Sequence, residues 1–142
     1  LEFAGIATVC DVMELLDENR ILVKEALKSM SHSANLGLRS LIRVHDLNPA
    51  KLSAHHIGFV LGPCFNATGR LDTAARTLEL LQCQNEREGI LLASELKRLN
   101  ESRKEMTEAG VEEAIVKIGE ENLEKDKGYN INDILADITG RK

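Results

Sequence analysis

Residues 86–125 contain no proline, and this narrows the fold more than any other feature of the chain. Proline is the residue a helix interior tolerates least, because it lacks the donor and clashes with the preceding turn. Across the same stretch Glu, Lys and Arg alternate with an apolar series: Ile90, Leu92, Leu96, Leu99, Met106, Val111, Ala114, Ile115 and Ile118. That spacing marks one face of a helix. Glu113 and Lys117 stand four apart, as a surface ion pair on a helix would. The pattern predicts one long solvated helix with a break near Gly110. It is not a clean heptad, which disfavours a coiled coil. Lys127-Gly128 ends the pattern, and residues 131–138 read as a short helical tail.

The rest of the chain is consistent with helices as well. Aromatic residues make up 3% and Trp is absent, so a core has to come from Leu, Ile, Val and Ala. Such a core suits helix packing better than a β-sandwich. Residues 2–10 are short and apolar and deliver Asp11 to a surface, as a buried helix or a strand end would. Residues 18–30 place Ile21, Leu22 and Leu27 on helical spacing. Gly37 to Val44 reads as a short helix. Asn48-Pro49 marks a turn into the next one, with Ser53 as its N-cap. Residues 54–61 form an apolar helix expected to stop at Gly62-Pro63. Residues 62–71 are the least helix-like stretch, and Asp72 or Thr73 would cap a helix running to about Gln82. The expected fold class is all-α: a compact helical bundle followed by one long connector helix.

Charge and cysteine content limit the function classes. The net charge is −5, with 9 acids against 8 bases in residues 1–84 and 14 against 10 in residues 85–142. No strong global field attracts nucleic acid, but the nearly neutral first part leaves room for a local basic site. Cys10, Cys64 and Cys83 show no zinc-type spacing and read as reduced, mostly buried thiols of a cytoplasmic protein. No apolar run approaches the roughly 20 residues a membrane helix needs. No membrane partner is expected.

Two places could carry chemistry. Asp11 follows an apolar stretch, and a carboxylate held on a rigid element suits a hard divalent cation. On chemistry alone, a capping or surface role is the simpler reading. In the loop from Gly62 to Leu71, glycines allow close backbone approach to a phosphate and turn N–H groups can receive an anion. Arg70 could fork onto the phosphate and Asn66 could add a donor. A plain helix–helix connection fits the same residues equally well. His55 and His56 are adjacent, so on a helix both rarely reach one ion. One exposed and one partly buried histidine is expected. Neither Cys10 nor Cys64 has an evident His or Asp partner in sequence.

These residues resemble a known family. Ala7-Thr8-Val9-Cys10-Asp11-Val12-Met13-Glu14-Leu15 is similar to the Gly-Thr-x-x-Asp motif of the DHH phosphoesterases. His56 to Leu71 resembles the Ile-Gly-Phe…Gly-Pro…Asn-Ala-x-Gly-Arg signature of the RecJ-type single-stranded-DNA exonucleases within that superfamily. Leu96-x-x-Leu99-Asn100-x-x-Arg103-Lys104 is similar to that family's connector. The resemblance covers roughly residues 1–125.

The resemblance implies that Asp11 is an acidic metal ligand of the catalytic site, and that Asn66, Gly69 and Arg70 bind the DNA backbone. It implies hydrolysis of single-stranded DNA from the 5′ end with Mn2+ or Mg2+, in repair and recombination. It divides the chain into residues 1–84, the C-terminal helical part of an α/β nuclease domain; 85–127, the connector helix; and 128–142, a tail.

The family's remaining ligands, an Asp-x-Asp, another Asp and an Asp-His-His, lie upstream of the matched segment. This chain alone is therefore expected to be inactive, and its exposed apolar surface to drive self-association. Many members carry Arg where Cys64 stands. The alternatives are a DHH phosphoesterase acting on small phosphodiesters and a non-catalytic helical interaction module built on residues 86–125.

Overall fold

The computed structural model describes residues 1–66 and 71–120; for residues 71–74 and 118–120 it describes the backbone alone. The predicted tail at 131–138, the helix end at Lys127-Gly128, Gly69 and Arg70 lie outside the described residues. Among the described residues all regular structure is helical. The order is α1 (Glu2–Cys10), α2 (Asp17–Met30), α3 (Leu36–Val44), a single 3-10 turn (Pro49–Lys51), α4 (Ala54–His56), a π-turn (Ile57–Leu61), α5 (Gly62–Asn66), α6 (Leu71–Gln82) and α7 (Glu86–Glu120). The chain divides into two compact units, Leu1–Asn100 and Glu101–Lys142.

In the first unit the core is aliphatic, as the near absence of aromatics requires. Ile6, Met30, Leu38, Leu41, Ile42, Ile57, Leu61, Cys64, Leu80, Ala93 and Leu96 form one buried cluster. Phe65 packs only partly against it, and Phe3 and Phe59 are exposed. Helix α2 buries Val23, Ala26 and Met30, whereas Ile21 is 65% exposed, so its buried face is not the one Ile21 would mark. Asp17 and Glu18 occupy its first turn, where negative charge suits the helix dipole.

Helix α3 is fastened at both ends. The Asn35 side chain caps it, accepting from the Leu38 N–H at 2.8 Å, and its Nδ2 donates to the Leu81 carbonyl at 2.8 Å. One side chain thus caps α3 and meets a carbonyl at the end of α6. Gly37 is required between the same two helices, because a Cβ there would overlap the Leu80 carbonyl. At the other end of α3 the Lys97 ammonium donates to the Val44 carbonyl at 3.2 Å. A cation is well placed at such a helix end.

Three expected boundaries move. The helix from residue 54 does not stop at Gly62-Pro63 but runs on through Asn66. A proline inside a helix would strike the carbonyl four residues back. Here the Gly62 N–H donates to the Ile57 carbonyl, five residues back, and this wider turn relieves the ladder just ahead of Pro63. Of the stretch read as a loop, residues 62–66 are helical, and 67–70 lie outside the described residues. Helix α6 begins at Leu71, so Asp72 and Thr73 lie inside its first turn and are not its cap. Helix α7 passes through Gly110 without a break.

The expected stripe on α7 also divides. Asn85 starts the helix, accepting from the Glu88 N–H at 2.8 Å while its Nδ2 donates to the Glu88 carboxylate at 2.9 Å. In the first unit the buried face is Gly89, Ala93, Leu96 and Asn100, with Leu92 and Leu99 packed at its edge. In the second unit Ala114 is buried, whereas Met106, Val111, Ile115 and Val116 are exposed. Glu113 and Lys117 form the predicted pair at 3.1 Å.

Candidate functional site

Asp11 ends α1. Its backbone N–H donates to the Ala7 carbonyl at 2.9 Å, and its side chain is exposed. The next two N–H groups turn back: Val12 to Val9 and Met13 to Thr8, each at 3.1 Å. This is the Schellman closure, which needs a left-handed residue just past the cap, and glycine is the usual choice. Here it is Val12, at φ 55° and 87% exposed. A β-branched residue in that region is strained. The strained residue lies directly beside the candidate acid.

The end of α1 rests on the helical run that leads to the second candidate. A Cβ on Gly58 would sit 3.4 Å from Val9 Cγ1, and one on Gly62 would sit 2.5 Å from Cys10 Sγ and 2.8 Å from the Ile57 carbonyl. The two glycines, four apart, open a seat for Val9 and Cys10, the residues that lead into Asp11. Asn66 ends the same run, four residues past Gly62, and is exposed. Asp11 and Asn66, 55 positions apart in sequence, are therefore carried on packed elements. Gly69 and Arg70 belong to the adjoining residues outside the described set.

Cys10 itself is held in its neutral form. Burial pushes its thiol pKa up, and the Asp11 carboxylate pushes it further in the same direction. Cys83 is likewise raised, first by burial and then by Glu88. A raised pKa keeps a thiol from acting as a nucleophile at neutral pH. All three cysteines are free, and Cys64 and Cys83 are buried, as expected. Cys64 differs from expectation in having a partner: His45 Nε2 lies 3.2 Å from its sulfur, and the thiol donates to the Val60 carbonyl at 3.3 Å. Cys64 is sealed from solvent, so the contact ties α5 to the end of α3. Nineteen residues separate the pair, and no local sequence signal announces it.

The adjacent histidines separate as expected. His56 is half-buried and completes the cap at Ser53, whose N–H donates to His56 Nδ1 at 3.0 Å and whose hydroxyl lies 2.9 Å from the same atom. His55 is exposed and stacks on Phe59, with ring centroids 4.7 Å apart and planes 28° from parallel. Phe59, which falls on the Phe of the Ile-Gly-Phe resemblance and has no role implied by it, is 68% exposed.

Among the described residues no three His, Cys, Asp or Glu side chains converge on a metal-binding position. No helix there is long and apolar enough to cross a membrane. A hard divalent cation takes several oxygens at once, and the described residues do not by themselves fit one: Asp11 offers a single carboxylate.

No family model matches the chain. Curated relatives do. It is 38% identical over 117 residues to the single-stranded-DNA-specific exonuclease RecJ of Salmonella typhimurium, a match covering 82% of this chain and 20% of the relative. It is 31% identical over 125 residues to RecJ of Bacillus subtilis, covering 88% of this chain and 16% of the relative. Among solved structures, RecJ of Thermus thermophilus in complex with Mn2+ superposes with a TM-score of 0.72 at 34% identity, covering 79% of this chain and 17% of that one. The same protein with Mg2+ gives 0.72 as well. The chain spans about a fifth of the length of the curated relatives it matches.

Proposed function

This chain belongs to the RecJ family of single-stranded-DNA-specific exonucleases, and from that premise we propose that it supplies the phosphate-binding side of a DNA-hydrolysing site. In this reading the parent enzyme hydrolyses single-stranded DNA from its 5′ end in the cytoplasm, with Mn2+ or Mg2+. Asp11 contributes one ligand, and the other ligands lie outside this chain. Asn66, Gly69 and Arg70 hold the DNA backbone. Residues 1–84 form part of the nuclease domain, 85–127 its connector and 128–142 a tail.

The observation that carries the reading is the seat at Gly58 and Gly62. Cys10 lies against Gly62, so the residue preceding Asp11 is fixed to the run that ends at Asn66. A phosphate clamp and a metal-binding carboxylate have to be held at a set spacing for an in-line displacement. Packed helices provide that rigidity better than loops do.

The test is binding of a 5′-phosphorylated single-stranded oligonucleotide to this chain and to Arg70→Ala, followed by fluorescence anisotropy over a range of salt. Arg70→Ala should weaken binding about tenfold and lower the slope of log K against log salt by about one. Identical binding curves for the two proteins would refute the assignment.

A further inference from the structure

We propose that His55 and Phe59 form a stacking platform for a nucleobase of the bound strand, on the same helical run as Asn66. The inference rests on the single-stranded-DNA reading given above and adds a second contact to it.

Phe59 leaves 68% of its surface in water, although the neighbouring core takes up aliphatic side chains readily. One side of its ring is engaged by His55 at 4.7 Å between centroids, with planes 28° apart. His55 is itself exposed. The pair thus makes a flat, half-open aromatic surface. Bases have π-faces whatever their identity, and exposed aromatics are the usual means of gripping single strands without sequence preference.

Position along the helical run supports the same occupant. From residue 54 to 66 the exposed residues are His55, Phe59 and Asn66, with Pro63 half-buried between the last two, while Ile57, Leu61, Gly62 and Cys64 are turned to the core. His55, Phe59 and Asn66 therefore line the solvent side of one run. Seven residues separate Phe59 from Asn66, a rise of roughly 10 Å, which is about the reach of one or two nucleotides of an extended strand. A strand whose backbone is held at Asn66 would have its neighbouring bases within reach of Phe59. The π-turn Ile57–Leu61 contains Phe59, and such wide turns recur at functional sites.

The test uses this chain with a 5′-phosphorylated oligothymidylate of about a dozen nucleotides, read by anisotropy. Phe59→Ala should weaken binding roughly tenfold and leave the salt dependence unchanged, because no phosphate contact is lost. Phe59→Trp should restore binding. On an oligonucleotide of equal length with abasic sugars throughout, the Phe59→Ala penalty should vanish and the Arg70→Ala penalty should remain.

If Arg70→Ala weakens binding while Phe59→Ala does not, the platform is overturned and the phosphate clamp stands. Absence of binding by the unsubstituted chain overturns both. A Phe59→Ala penalty that persists on the abasic strand also overturns the platform. So does a drop in self-association by light scattering with DNA binding unchanged, which would make the face a protein contact. Because Phe59 is exposed, the variant is expected to keep the helical circular-dichroism signal.

Discussion

Helices α1 and α3 close with the same hydrogen-bond pattern and very different local comfort. At the end of α3 the Asp46 N–H donates to Arg43 at 2.9 Å and the Leu47 N–H to Ile42 at 3.1 Å, matching Val12 and Met13 at the end of α1. The left-handed residue is Asp46 at φ 53° in one case and Val12 at φ 55° in the other. Aspartate visits that region with little penalty, whereas valine does not. The residue after it also differs: Leu47 packs against the core, completing the apolar contact that usually accompanies this closure, while Met13 is 53% exposed. Helix α3 ends as a stability-optimised helix would. Helix α1 ends with strain and an unpacked side chain beside Asp11. Backbone strain of this kind concentrates where function overrides stability.

The strongest way to break the comparison is at the seat of α1. Gly62→Ala places a methyl group against Cys10 Sγ and the Ile57 carbonyl. It should destabilise the fold by about 2–3 kcal/mol, read as a lower urea midpoint with an unchanged slope. An unaffected midpoint would mean that the end of α1 is held by its own closure and not by the neighbouring run.

A smaller effect sharpens the contrast directly. Val12→Gly should stabilise by up to about 1 kcal/mol, because it removes the left-handed penalty, while Asp46→Gly should shift stability by only a few tenths. Equal shifts from the two substitutions would erase the distinction. If Asp11 serves the proposed site, Val12→Gly should also lower the activity of the complete enzyme as it raises stability.

The smallest effect is a pH dependence confined to α1. Because the Cys10 pKa is raised in the fold, the stability associated with its neutral thiol is fully present below the ordinary thiol value. It is lost as pH rises past about 8.5 and through the folded value. The stability difference between the unsubstituted chain and Cys10→Ala should therefore shift against the unsubstituted chain on going from neutral to alkaline pH. A difference that stays constant with pH would show that the thiol does not titrate there.

Much of this was legible in the residues, for physical reasons that can be named. The helices announce themselves by apolar spacing and, at Ser53, by a cap. The aliphatic core follows from having almost no aromatic residues to bury. What escaped depended on contacts between distant segments. Gly62-Pro63 carries the local signature of a helix stop, and only the wide turn before it lets the helix continue. The buried face of α7 is chosen by Gly89 and Ala93, whose small size admits the neighbouring helices, and a search for large apolar residues passes over them. His45 finds Cys64 only once α3 and α5 are packed. Asp11 and Asn66 could be named singly, but their attachment to packed elements rests on Gly58 and Gly62, which in sequence read only as part of an apolar helix and as its stop.

The wide turn at Ile57–Leu61 has an evolutionary corollary. Removing one residue from it would restore the ordinary ladder, yet would leave Pro63 facing the carbonyl of a tight turn. Adding a residue elsewhere in the run would swing Cys64 out of the core. Chain length and the proline are therefore coupled: a one-residue deletion here should be tolerated in descendants of this sequence only together with replacement of Pro63.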